Sequence, residues 1–280
     1  MAGDMPASAV ARPLGAEHGH RASAVRHGLL FLLICSPLWV APRVVWQGYP
    51  FTLPLMMVLT LFFLRREGRS GAAIGLDLSW RRVGELVGGL SGGALLVSAI
   101  AVCVAIALPF PWFRNPVFEA RLALMSLLSL LYGNAVEELI FRGYSFDRLI
   151  AGIGHWQAQL VTAMLFALFH VASGWPWQAA LLGTTTGSLL FGLVFVRWHS
   201  VPAAVGVHAA ANWMRDVLML DPPGRATLFG PVAPRPWTAA EQWAAHLAWQ
   251  GVMLLACVAL WLSTRRRGIE VRESTSTPGL

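Results

Sequence analysis

From residue 28 onward the chain alternates between long apolar runs and short polar or arginine-bearing breaks. Eight runs stand out, at about 28–46, 50–64, 83–110, 122–144, 157–173, 178–196, 201–220 and 243–262, most of them near the roughly 20 residues that carry a helix across a bilayer. The second is short, and the fourth and seventh carry charge. The pattern predicts an all-α polytopic transmembrane bundle of about eight spans over residues 27–264. Residues 1–26 hold no core pattern and are expected to be a disordered cytoplasmic tail; residues 265–280 read as a basic cytoplasmic tail. The first run is not a cleaved signal segment, because Pro37 and Pro42 interrupt it and no small-residue cleavage site follows.

Composition agrees with the pattern. Of 280 residues, 56% are hydrophobic and 12% charged, too little charge to cover a soluble surface, for which about 25% is usual. The formal charge of +7 comes from arginines clustered between apolar runs rather than striped across a soluble domain, so a nucleic-acid partner is not expected. Arginines at 12, 21, 26, 65, 66, 69, 81, 82, 148, 197, 265–267 and 272 fall on one side of an eight-span layout, against 43, 114, 121, 215, 225 and 235 on the other. The excess supports both termini on the cytoplasmic side, and the expected location is the bacterial cytoplasmic membrane. Cys35, Cys103 and Cys257 lie singly in apolar runs and read as packing residues.

Two further stretches read as packing. Gly84, Gly88, Gly89, Gly92 and Gly93 lie inside an apolar helix without the Lys-Ser/Thr ending of a phosphate loop, which points to close helix contact. The run Thr184-Thr185-Thr186-Gly187-Ser188 reads as packing and interhelical hydrogen bonding.

Ionisable groups inside a span cost several kcal/mol unless paired, hydrated or functional. This chain concentrates them in three places: Asn134 to Gly143 with Glu137, Glu138 and Arg142; Phe166 to His170; and His208 to Asn212. Glu138 and Arg142 are i and i+4, about 40° apart around a helix, so they neutralise each other. Glu137 lies about 140° from Arg142 and points to another face, suited to a cavity and to proton exchange. His208 and Asn212 share an i, i+4 face, and two such donors suit an oxyanion pocket. Phe166 and His170 have the same spacing. A carboxylate to activate water, a histidine to share that task and two donors make a peptide-hydrolysis set. Each motif alone is more often structural; their occurrence on three separate runs favours one shared site.

The ordered pattern Glu-Glu-x-x-x-Arg, Phe-x-x-x-His and His-x-x-x-Asn, over about residues 122–214, resembles the CPBP family of CAAX-processing and bacteriocin-processing proteases, whose type II CAAX prenyl proteases are included. The resemblance implies an all-helical intramembrane endopeptidase. It implies catalytic roles for Glu137, Glu138, Arg142, His170, His208 and Asn212: Glu137 activates water with help from His170, Glu138 and Arg142 support it, and His208 with Asn212 holds the oxyanion. Glu137, His170 and His208 together offer three zinc ligands, but that would occupy the base and the oxyanion donor, and no His-Glu-x-x-His helix is present. The reading therefore assigns no cofactor, with zinc as the alternative. The implied partners are the bilayer and a membrane-anchored or membrane-inserted peptide or protein substrate of CAAX-like, bacteriocin-like or C-terminal sorting-signal type.

Depth sets a condition. At 1.5 Å per residue, Glu137 lies about 22 Å below the outer side and His170 only about 10 Å below it. A fourth helix that starts later, near Met125, and continues unbroken past Arg142 through Phe146 and Leu149 narrows the gap. A break at Arg142 that also parted Glu137 from His170 would argue against a shared site. Two other classes compete: a non-proteolytic scaffold or immunity protein, which has no need of Glu137 or His208, and a transporter, which predicts inverted repeats and broken helices.

Overall fold

Small residues decide how closely the helices of this chain approach. The computed structural model describes residues 14–45, 51–108, 110–218, 224–231 and 235–276. In chain order the helices are α1 (Leu14–Val45), α2 (Thr52–Arg66), α3 (Trp80–Ala107), α4 (Ala120–Phe141), α5 (Tyr144–Ile153), α6 (His155–Ala172), the single turn α7 (Trp177–Ala179), α8 (Thr185–Trp198), α9 (Val201–Leu218) and α10 (Ala239–Ser276). A π turn, Ala180–Thr184, joins α7 to α8, so Trp177–Trp198 is one continuous rod. The bundle also holds one antiparallel ribbon, β1 (Trp112–Arg114) against β2 (Phe229–Pro231), with Phe113 opposite Gly230.

The helix α9 is the axis of the bundle. Its sequence Val-Pro-Ala-Ala-Val-Gly-Val-His-Ala-Ala-Ala leaves Val201, Ala203 to Ala211 and Val217 buried, and α3 lies directly on it. A Cβ at Gly93 would stand 2.5 Å from the Val207 carbonyl, one at Gly89 would collide with the Ala203 carbonyl, and one at Gly206 with the Leu86 carbonyl. These glycines let two backbones touch, the small-xxx-small packing expected. The stripe Gly84, Gly88 and Gly92 on the other face meets open space.

The eight apolar runs do not become eight spans. Among the described residues, four helical segments are long and apolar enough to cross a membrane: Trp80–Ala107, Ala120–Ile153, Trp177–Trp198 and Ala239–Arg265. The reasons are local. At 15 residues, α2 rises about 22 Å, short of a 30 Å hydrocarbon core. The run at 157–173 is diluted by His155, Gln157 and Gln159 at the start of α6, and the run at 201–220 by His208, Asn212, Arg215 and Asp216. The run at 28–46 falls in α1, whose side chains from 39 onward lie outside the described residues.

Two boundaries also differ from expectation. The helix α1 starts at Leu14, so residues 14–26, read as part of a structureless tail, are helical; residues 1–13 lie outside the described residues. The fourth helix begins at Ala120 rather than near Met125, and breaks at Arg142–Gly143 instead of running on to Leu149. Gly143 makes the break possible, since a Cβ there would collide with the Leu139 carbonyl.

The bundle has two distinct ends. At one, Leu228 N–H donates to the Val217 carbonyl beside the ribbon, and the Asn115 amide donates to the carbonyls of Gly224 and Thr227, both at 2.9 Å. At the other, Arg69 donates to both carboxylate oxygens of Asp147 (2.5 and 3.1 Å), Arg148 donates to the same group (2.7 Å), and the Tyr144 hydroxyl donates to Glu67 (2.6 Å). This charged staple ties the end of α2 to α5 immediately beyond the break.

Candidate active site

The geometry starts with Arg142, which is 1% exposed beside a fully buried Glu138. Its guanidinium donates to Glu138 Oε1 at 3.2 Å, and to the Ser188 hydroxyl (2.6 Å) and carbonyl (3.0 Å) on α8. Its flat faces are covered by Phe166 at 4.7 Å and Phe191 at 5.5 Å from the ring centres, contacts that suit a desolvated guanidinium. The i, i+4 pair read from spacing is therefore present, and the polar run ending at Ser188 does make the interhelical hydrogen bond expected of it. Glu138 Oε2, also buried, has no hydrogen-bond partner.

The same Glu138 Oε1 lies 2.8 Å from His208 Nδ1. A carboxylate paired with arginine is an acceptor, so Nδ1 carries the proton and donates. That leaves Nε2 as the working atom of His208, and it stands 3.8 Å from Glu137 Oε2. Phe191 stacks on the imidazole at 4.1 Å and 22° and fixes the plane of the ring. His170 is oriented by its own helix. Its Nδ1 lies 2.9 Å from the Phe166 carbonyl, and because a carbonyl only accepts, Nδ1 again holds the proton and Nε2 is the acceptor. Trp175 meets this ring edge-on at 5.0 Å.

A cavity of about 510 Å³ is lined by Glu137, His170, His208 and Asn212, together with Asn134 and Arg215. Its walls come from α4, α6, the Trp177–Trp198 rod, α9 and α10, with Trp175 and Trp249 among them. Glu138 and Arg142 do not line it; they stand behind His208. The division of the two glutamates read from helix geometry thus appears as a cavity-lining carboxylate and a buried, arginine-paired one. The helix break falls behind the cavity and does not separate Glu137 from His170. Glu137 and His170 line the same cavity, so the depth gap counted from sequence does not part them.

Metal ligation is a separate test. Among the described residues, no group of three His, Cys, Asp or Glu side chains is disposed to hold an ion, so Glu137, His170 and His208 share a cavity without forming a ligand cage. Their donor chemistry suits zinc; their placement does not. Cys35, Cys103 and Cys257 carry no disulfide, and none lines the cavity.

Several contributors were not singled out from sequence. Asn134, 4% exposed, accepts from the Asn212 amide at 3.4 Å; its place one turn before Glu137 was a readable signal. Ser188 anchors Arg142 and Phe191 clamps His208 from one face of α8, a pairing no local spacing announces. The α10 residues His246, Trp249, Gln250 and Met253 close one wall and come from a run that reads as plain apolar helix.

Residues 119–214 match the protein family described as type II CAAX prenyl endopeptidase Rce1-like. No curated protein matches the chain. The matched stretch begins just before α4, ends within α9, and contains every residue of the three motifs. A CPBP/Rce1-like type II CAAX protease domain is therefore matched over part of this membrane-embedded chain.

Proposed function

We propose that the protein is an intramembrane endopeptidase that hydrolyses a peptide bond of a membrane-associated protein or peptide, with Glu137 as the base. The observation that carries this reading is the convergence of Glu137, His170, His208 and Asn212 on one cavity, with Glu138 and Arg142 held behind it. In the mechanism, a water in the cavity donates one proton to the Glu137 carboxylate while His170 Nε2 accepts a hydrogen bond from the other. The water oxygen attacks the scissile carbonyl carbon, and the carbonyl π electrons move onto its oxygen. Asn212 Nδ2 and a protonated His208 Nε2 donate to that oxyanion, the imidazolium being balanced by Glu138 on Nδ1. Collapse breaks the C–N bond, and Glu137 passes its proton to the leaving amine, restoring the carboxylate. No step passes through a metal.

The substrate in this reading is a membrane-anchored or membrane-inserted peptide or protein of CAAX-like, bacteriocin-like or C-terminal sorting-signal type, and the match over residues 119–214 supports the first of these. The basic residues gathered at the staple end, Arg69 and Arg148 among them, support a cytoplasmic side there, and the location in this reading is a bacterial cytoplasmic membrane with both termini cytoplasmic. A scaffold reading gains nothing from the pre-oriented tautomers of His170 and His208. A transporter reading predicts broken helices lining the path, whereas the break at Arg142–Gly143 stands away from the cavity.

The test uses purified protein reconstituted in lipid nanodiscs with fluorogenic peptides of the three classes, prenylated and unmodified. Wild type is expected to cleave at least one, and Glu137→Ala to lower kcat by about 10²–10⁴-fold, the range for losing a general base. Activity is expected to survive a chelator. Activity lost to the chelator and restored by zinc would overturn the metal-independent mechanism, and equal rates for wild type and Glu137→Ala would overturn the assignment of the base.

A further inference from the structure

Two donors face the oxyanion in the mechanism above, His208 Nε2 and Asn212 Nδ2, and such donors act by being aimed before the charge develops. His208 is aimed by Glu138 Oε1, which lies 2.8 Å from its Nδ1. Asn212 has a holder of its own. Its Nδ2 donates to Asn134 Oδ1 at 3.4 Å, the one hydrogen bond of the Asn212 side chain among the described residues. The two contacts form a ladder. Asn134 and Glu138 are i and i+4 on α4, and His208 and Asn212 are i and i+4 on α9. Each pair is thus about 40° apart and about 6 Å along its helix. Residue 134 meets 212 and residue 138 meets 208, so the helices run antiparallel with one rung for each donor. Asn134 also stands three residues before Glu137, about 60° from it around α4, and lines the same cavity.

We infer that Asn134 is a positioning residue for the reaction: it takes one N–H of the Asn212 amide and so leaves the other aimed at the oxyanion. This rests on the endopeptidase reading above. The two N–H groups of an asparagine lie on one planar amide, so fixing the direction of the first fixes that of the second. A separate observation sets this role apart from ordinary interhelical packing. Asn134 is 4% exposed, and its Nδ2 is buried with no hydrogen-bond partner among the described residues. A buried donor left unmade carries its full desolvation penalty, so an asparagine is a poor choice for joining α4 to α9 beside a leucine of similar size. What the asparagine supplies and the leucine lacks is an acceptor for Asn212. The alignment counts most once negative charge sits on the substrate oxygen, so it lowers the barrier more than it tightens binding.

The experiment is a double-mutant cycle between positions 134 and 212, run in nanodiscs on the reporter peptide that wild type cleaves. Asn134→Leu is expected to lower kcat about 3–10-fold, the size of one neutral hydrogen bond, with KM little changed. It should melt no lower than wild type, since a buried unpaired donor leaves with it. Asn212→Ala is expected to lower kcat about 10²–10³-fold, the loss of one oxyanion donor. In the Asn212→Ala background Asn134→Leu should cost nothing further, because the amide it holds is gone. A second cycle with Asn134→Ala frees the result from the way one replacement packs. Wild-type kcat in both Asn134 variants would overturn the inference, whatever happens to KM or to the melting temperature. The same fold-loss with and without the Asn212 amide would overturn it too, since Asn134 would then act by another route. Both outcomes leave the protease reading standing. Failure of wild type to cleave any peptide of the panel overturns that reading, and this inference with it.

Discussion

Arg142 shows how one buried side chain can set a working atom it never touches. It is tied to Ser188 on α8 and to Glu138 on its own helix, and Glu138 in turn takes the Nδ1 proton of His208. Removing the guanidinium leaves a fully buried carboxylate without its counter-charge, a loss of about 3–5 kcal/mol when one partner of a buried pair is deleted. Arg142→Leu is therefore expected to lower the melting temperature in detergent and to abolish cleavage. Glu138→Gln keeps an acceptor oxygen for His208 and neutralises that carboxylate. It should retain the fold better than Arg142→Leu while still losing activity, because His208 loses the charge that supports its protonated form. Equal melting temperatures for Arg142→Leu and wild type would refute the pairing argument. Ser188 gives a smaller expectation of the same kind: Ser188→Ala removes one charge-assisted hydrogen bond, worth about 1.5–3 kcal/mol, and should lower stability in a thermal scan without abolishing cleavage.

At the scale of the element, the contact of α3 with α9 is the one that a single added methyl group can test. Gly89 and Gly93 face the α9 backbone, whereas Gly88 and Gly92, one position away, face open space. Overpacking of a close contact costs about 1–3 kcal/mol, so Gly89→Ala and Gly93→Ala are expected to lower the melting temperature. Gly88→Ala and Gly92→Ala should match or slightly exceed wild type, since Ala is the better helix former by about 1 kcal/mol. A melting series in which all four behave alike would disprove close packing at the α3–α9 seam. The glycine pattern was readable as packing because small-residue spacing is a local property of sequence. Which stripe packs was not, because that depends on where α9 lies. The number of spans failed because the apolar runs were read without weighing the polar side chains inside the helices they became, His208, Asn212, Arg215 and Asp216 in α9 among them. The i, i+4 pairing of Glu138 with Arg142 survived intact, since its geometry lies within one helix. Its continuation to Ser188 and His208 crosses three helices and has no local signature.

For the whole molecule, the polarity of the cavity is the consequence that matters. The 18 residues of α9 separate the ribbon end from the charged staple by about 27 Å, and the cavity lies in the ribbon half. Arg215, Trp175 and the N-terminal part of α10 stand toward the ribbon; Arg69, Arg148 and His199 stand at the staple. Basic residues near helix ends favour the cytoplasmic side, and the densest cluster belongs to the staple. The cavity is thus expected to open away from the cytoplasm, toward peptides presented on the outer face. Single cysteines test this in a background where Cys35, Cys103 and Cys257 are replaced by alanine, the first and last of these being buried. A cysteine at exposed Trp177, at the cavity end, should react in intact cells with a membrane-impermeant maleimide. A cysteine at Arg66, beside the staple, should react only after the cells are opened. Labelling of position 66 in intact cells would reverse the orientation, and the substrate would then have to reach the cavity from the cytoplasm.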